Sequence, residues 1–230
     1  MKTKFLIIFC FLFFIGCASK VSIPEVDSSD ARKLERNTHS IDLERLSHSI
    51  AKGVLIESVH GGVGCAFQQG WAVGGMDSYS RGPGVPLYPS QAENDAMGLK
   101  RPDLNFVTFK AIEDTLKNNN IKISSKSDLK LSALVVDIKV NTCLEVVTFD
   151  QKGEAYYKIR WQLYSKTLKK DLFSKEIESY SIEENFGENN SQKVVVDAHK
   201  ANTNKLINDE DFRKLIDANN FYIGTDENSI

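Results

Sequence analysis

The side chains able to do chemistry cluster around one irregular stretch, GGVGCAFQQGWAVGGMDSYSRGPGVPLYP, spanning residues 61–89. His60, Asp77, Glu93 and Asp95 lie in or beside it as possible acids and bases, with Ser78 and Ser80 as possible nucleophiles. Acyl transfer needs a nucleophile fixed against a base and that base oriented by a third group, and no spacing here sets up such a triad. Gly61-Gly62-Val63-Gly64 has neither the G-x-G-x-x-G pattern nor the lysine of a phosphate-binding loop, which removes a nucleotide site. His39, His48, His60 and His199 form no CxxC or HxxH grouping with the cysteines, so no metal and no cofactor is expected. The acidic pairs elsewhere, Glu183-Glu184 and Asp209-Glu210-Asp211, sit at a turn and a helix start, where solvation and the helix dipole account for them. The chain therefore reads as a non-enzyme. Long loops are often functional, and the aromatic and guanidinium groups of Trp71, Tyr79, Arg81 and Tyr88 make this one a candidate partner-binding surface. A plain cover over a sheet is the alternative.

The amino terminus carries a different chemistry. Lys2 and Lys4 precede an apolar run from Phe5 to Ile15, too short to cross a bilayer as a mature helix but suited to a signal-peptide core. The run stops at Phe14-Ile15-Gly16-Cys17-Ala18-Ser19, without the usual small-residue A-x-A site. This stretch resembles the lipobox of bacterial lipoproteins, with Phe14 where that family prefers Leu. The resemblance implies cleavage after Gly16, lipid attachment at Cys17 (diacylglycerol on the thiol and palmitate or a similar chain on the new amino group) and, with Ala18 in place of Asp, an outer-membrane destination. Each buried methylene contributes about 0.8 kcal/mol, so several acyl chains would hold the protein on the membrane.

The signal removes Cys10 and the lipid consumes Cys17, leaving Cys65 and Cys143 of the four cysteines. In an oxidising periplasm these two form either a disulfide, which would contribute roughly 4 kcal/mol by closing a long loop, or two buried thiols that pack as small apolar residues.

The rest of the composition is that of an ordinary globular chain: 230 residues, 41% hydrophobic, 26% charged, net charge -2. A near-neutral balance offers no footprint for nucleic acid. Four segments are expected: a signal peptide (1–16), a lipidated N-terminus and tether (17–52), one folded domain (53–217) and a C-terminal tail (218–230). The tether contains Leu43, Leu46 and Ile50 at a spacing that permits a short amphipathic helix.

Within the domain, residues 54–59 have the β-branched content of a strand. Asp103 or Asn105 can cap a helix with Phe106, Phe109, Ile112 and Leu116 on one stripe. Leu134, Val136, Ile138 and Val140 alternate with Val135, Asp137 and Lys139, and Ala155, Tyr157, Ile159, Trp161 and Leu163 alternate with polar neighbours, the latter set facing the core. Another strand covers 173–180. Ser191 leads into a closing helix, on which His199 reads as a surface or boundary residue, and Asn208 is placed to cap a last short helix with Phe212, Leu215 and Ile216. The order predicts an α+β fold: an antiparallel meander sheet with helices packed on one face.

The segments FKAIEDTLKNNNIKI, DLKLSALVVDIKVNTCL, GEAYYKIRWQLYSKTLKKDLFSKEIESY and VVVDAHKANTNKLINDEDFRKL together resemble ABC-transport auxiliary lipoproteins, and also the non-catalytic region that precedes trypsin-like peptidase domains in some exported bacterial proteins. In the second group cysteines recur at the GVGC and VNTC positions, which implies pairing of Cys65 with Cys143. The chain ends where the peptidase would begin and has no GDSGG-like segment. The first resemblance implies an accessory of an envelope transport system that binds lipid or another apolar ligand. The residues themselves favour a binding or assembly module with an envelope protein partner. A deep apolar pocket between helix and sheet would favour the former, and a flat aromatic patch near Trp71 and Tyr79 the latter.

Overall fold

The longest alternations in the sequence become two paired strands at the centre of a sheet. In a computed structural model, which describes residues 39–52, 55–61, 76–79, 86–96, 103–144, 147–148 and 150–223, β5 (Leu129–Leu144) pairs antiparallel with β6 (Gln151–Ser165), and β6 in turn with β7 (Lys170–Gly187). Ala155, Tyr157, Ile159, Trp161 and Leu163 are all fully buried, as their alternation predicts.

Chain order around these strands is β1 (His39–His48), β2 (Leu55–Gly61), β3 (Met76–Tyr79), α1 (Gln91–Ala96), α2 (Leu104–Asn118), β4 (Ile121–Ile123), β5, β6, β7, α3 (Asn190–Asn208) and α4 (Glu210–Ile223). The free edge of β5 is shared by two strands in tandem. β1 lies parallel to its first half, from Asp42 beside Lys130 to His48 beside Val135, and β2 lies parallel to its second half, from Glu57 beside Val140 to Gly61 beside Leu144. β4 adds to β1 in parallel and β3 to β2 antiparallel, giving seven strands among the described residues. The sheet is therefore mixed, and the expected antiparallel meander holds only for β5-β6-β7.

The expected boundaries move with it. Residues 39–48, assigned to the tether with an optional helix at Leu43, Leu46 and Ile50, are a sheet strand whose Ile41 is fully buried. At the other end α4 continues to Ile223, into the expected tail. The face of β5 also differs from the simple alternation. A bulge between Val135 and Asp137 inserts one residue, so Leu129, Leu131, Ala133 and Val135 face the core before it, and Ile138 and Val140 after it. Because side chains alternate with period two, one inserted residue moves everything beyond it to the other face.

Helices α2 and α3 pack on the core face, α2 against β1 and β4, α3 against β6 and β7, and the two against each other. Asp103 caps α2, its Oδ1 accepting from the amides of Asn105 (2.9 Å) and Phe106 (3.3 Å). Asp209 rather than Asn208 caps α4, accepting from the amides of Asp211 and Phe212. Trp161 Nε1 donates to Asn202 Oδ1 of α3 at 2.7 Å, and the Asn202 amide donates back to Ile177 O and Ser179 Oγ. Gly153 sits where α3 comes nearest: a Cβ there would lie 3.1 Å from Asn141 O, 3.2 Å from Val194 Cγ2 and 3.3 Å from Ser191 Cα. A side chain there would require Val194 and the start of α3 to give by a few tenths of an ångström.

The opposite face changes character along its length. Over the middle of β6 and β7 it carries Lys158–Glu178 (2.8 Å) and Arg160–Glu176 (2.6 Å), partly exposed pairs whose contribution solvent screening keeps small. Toward the β5–β6 turn it is closed to solvent: Asn141, Cys143, Glu154 and Tyr180 are each 4% exposed or less. There the Glu154 carboxylate accepts from Asn141 Nδ2 at 2.6 Å and from the Tyr180 hydroxyl. Burial, with that carboxylate second, raises the Tyr180 phenol above its ordinary range.

Candidate functional site

Where β1 ends, the helix layer and the sheet do not close on one another. The Leu46–His48 end of β1, Val135 of β5, the strap Pro86–Tyr88 and the first turns of α2 (Asn105, Phe106, Phe109) enclose an open-mouthed pocket of about 370 Å³ with a mainly apolar wall. Leu87 and Tyr88 are buried, whereas Phe106 is 66% exposed at the rim. The sequence placed Phe106 on the inward stripe of α2, but in the first turn of the helix that stripe ends at this opening.

The strap is held from two sides. Asn105 Oδ1 accepts from the Tyr88 amide at 3.0 Å, and Asn105 Nδ2 donates to the Tyr88 carbonyl at 2.8 Å and to Asp103 Oδ1 at 3.1 Å. The Asn105 amide thus pairs with Tyr88 as a neighbouring strand would. Beyond the backbone, the Tyr88 hydroxyl is hydrogen-bonded to the Tyr157 hydroxyl in the core. Burial raises both phenols far above their ordinary range, each keeping its proton.

Behind Tyr157 stands His199, its ring centroid 4.2 Å from the Tyr157 ring and tilted by 58°. His199 is fully buried, which corrects its expected surface or boundary position. Nδ1 lies 2.9 Å from the Val195 carbonyl, so Nδ1 carries the proton and Nε2 the lone pair, and Nε2 is buried without a hydrogen bond. Desolvation lowers the imidazole to about 4, against the smaller opposing effect of the Val195 carbonyl.

Of the candidate residues that are described, the structure brings Tyr88 to the pocket, as a buried wall rather than the exposed contact expected from the sequence. Cys17, Cys65, Trp71 and Arg81 lie outside the described residues. Tyr79 ends β3 opposite Leu55, its side chain likewise outside them. Cys143 is buried in β5, beside His60 of β2 on one side and Lys152 of β6 on the other. Glu93 and Asp95 serve α1: Ser90 donates to Glu93 Oε2 through its amide (2.9 Å) and hydroxyl (2.8 Å), and Gln91 donates to Asp95 (2.9 Å). Among the described residues no group of His, Cys, Asp or Glu is placed to hold a metal, and no helix is long and apolar enough to cross a membrane. Leu46, Asn105 and Phe109 were missed as pocket residues. Their one local signal is the Asp103-x-Asn105 pair at a helix start, where two capping residues are present and only one is needed.

The described side chains thus define a mixed α/β domain with an apolar pocket between its helix layer and its sheet. No family model matches the sequence, and no curated protein is significantly similar to it. Among solved structures, the chain is similar to a Xanthomonas campestris protein described under family DUF330, at 11% identity over 86% of this chain and 97% of that one with a TM-score of 0.45. It is also similar to a minor lipoprotein from Acinetobacter baumannii, at 9% identity over 50% of this chain and 86% of that one with a TM-score of 0.28.

Proposed function

We propose that this is a lipid-anchored protein of the bacterial envelope, tethered to the outer membrane through Cys17, whose folded domain binds an apolar ligand between α2, the strap and β1. The pocket carries the reading: it is concave, mainly apolar and bounded by three separate elements, the form small-molecule sites take. Assembly with an envelope protein partner through Trp71, Tyr79 and Arg81 is the second reading, and it rests on residue type alone. The chain lacking residues 1–17 should bind the apolar dye N-phenyl-1-naphthylamine saturably at one site, with fluorescence suppressed by Ser47→Trp at the exposed rim. Fluorescence that rises without saturation, or is indifferent to Ser47→Trp, removes the ligand-binding reading.

The anchor has its own test. Cys17→Ala should move the protein from the membrane to the soluble fraction, and a variant that still sediments with membranes overturns the lipid attachment.

We also propose that Cys65 and Cys143 form a disulfide. Cys143 is directly beside His60, five residues before Cys65 in the chain, so a bridge would fasten the segment after β2 at the closed end of the sheet. Alkylation of the unreduced, denatured chain lacking residues 1–17 should leave its mass unchanged. Two added alkyl groups refute the bond.

A further inference from the structure

We infer that the ligand of this pocket is a single unbranched acyl chain, an assignment that rests on the apolar-ligand reading above and narrows it. The wall decides the chemical class. Four of its side chains carry polar atoms: Ser47, His48, Tyr88 and Asn105. The Asn105 amide is committed to the Tyr88 backbone and Asp103 and the Tyr88 hydroxyl to Tyr157, while the exposed Ser47 hydroxyl lies 3.4 Å from the Ala133 carbonyl at the rim. That leaves Ser47 at the mouth and the His48 imidazole, itself engaged within the protein, as the side chains left to meet a polar group of a ligand. A peptide would bring an amide and a carbonyl at every residue, and a sugar a hydroxyl on nearly every carbon. Burying either without partners is unfavourable. A hydrocarbon chain makes no such demand.

Size narrows the class further. A dry cavity of about 150 Å³ accommodates the six carbons of benzene. On that scale the 370 Å³ here accommodates about 15 carbons, the length of one common fatty chain and too little for a polycyclic sterol. The chain would enter past Phe106, whose exposed ring at the rim offers apolar contact to the methylenes still outside, and would end against Val135 and Leu87.

Two sources share this chemistry, a separate membrane lipid and the chain on the protein's own Cys17, and the experiment separates them. Cells producing the full chain are given a 14-carbon fatty acid bearing a mid-chain diazirine and a terminal alkyne. In one arm it is fed during growth; in the other it is added to finished membranes, where it cannot be attached to Cys17. After irradiation, adducts are mapped by mass spectrometry. Adducts are expected on the peptides containing Leu87, Phe109 and Val135, at least tenfold weaker in Ser47→Trp. Labelling of these peptides in both arms assigns the chain to a separate lipid, whereas labelling only in the fed arm, lost in Cys17→Ala, assigns it to the protein's own anchor. A photoactivatable sterol that labels these peptides where the fatty acid does not overturns the acyl assignment while leaving the apolar-ligand reading standing. If neither probe labels them, both fall.

Discussion

Trp161→Ala is expected to cost about 5 kcal/mol of folding stability, a large share of the 5–15 kcal/mol typical of a domain. Truncating a buried Trp removes about 3–5 kcal/mol through lost burial and the cavity left behind. The indole also donates to Asn202 Oδ1 inside the contact between β6 and α3, and leaving that acceptor buried without a partner adds about 1–3 kcal/mol. Trp161→Phe isolates the second effect in part, because most of the ring volume stays while the donor is lost. Urea unfolding monitored by circular dichroism measures both variants. A loss below about 2 kcal/mol for Trp161→Ala would mean that α3 is not fastened to the sheet at this point.

Acid should weaken the protein through His199. Its imidazole titrates at about 4 in the folded chain, against an ordinary value near 6.5 once exposed. Above pH 6.5 it is neutral in both states and stability is fully present. Between 6.5 and 4 the unfolded chain binds the proton and the folded chain does not, so stability falls with pH, and below 4 the loss levels off at about 3 kcal/mol. The groups facing the ring cannot relieve this. Tyr157 stacks against it as a neutral phenol, and the Val195 carbonyl is bonded to Nδ1 whichever form is present. His199→Phe removes the titration, so the stability difference between native chain and variant should change by about 3 kcal/mol from pH 7 to pH 4. A constant difference would show that the imidazole is not buried in the neutral form.

How much was legible depends on whether the signal was local. The β6 alternation runs unbroken from Ala155 to Ser165, and one face of it was read correctly down to Trp161. In β5 the alternation of Leu134, Val136, Ile138 and Val140 does not keep to one face, because a bulge changes the period without changing the composition. β1 was missed for a related reason: a register irregularity between Leu43 and Leu46 breaks its alternation, and the remaining spacing to Ile50 imitates a helix. The parallel pairing of β1 and β2 with β5 has no connecting turn to announce it, whereas hairpins do. His199 was visible in principle. It is four residues beyond Val195 and four before Thr203, all on the buried face of α3, but a titratable side chain argued for the surface. The pocket was not visible, since it is formed by residues 46–48, 86–88, 105, 106, 109 and 135, which only the fold brings together.

The position of β1 bears on how the domain would carry a mechanical load. Its N-terminal end, His39, pairs with Ile121 of β4, and its C-terminal end forms part of the pocket wall. A pull entering at His39 against a load seated at Leu46–His48 would therefore pass along the covalent backbone of this one strand, leaving the ladder to β5 to hold it in line.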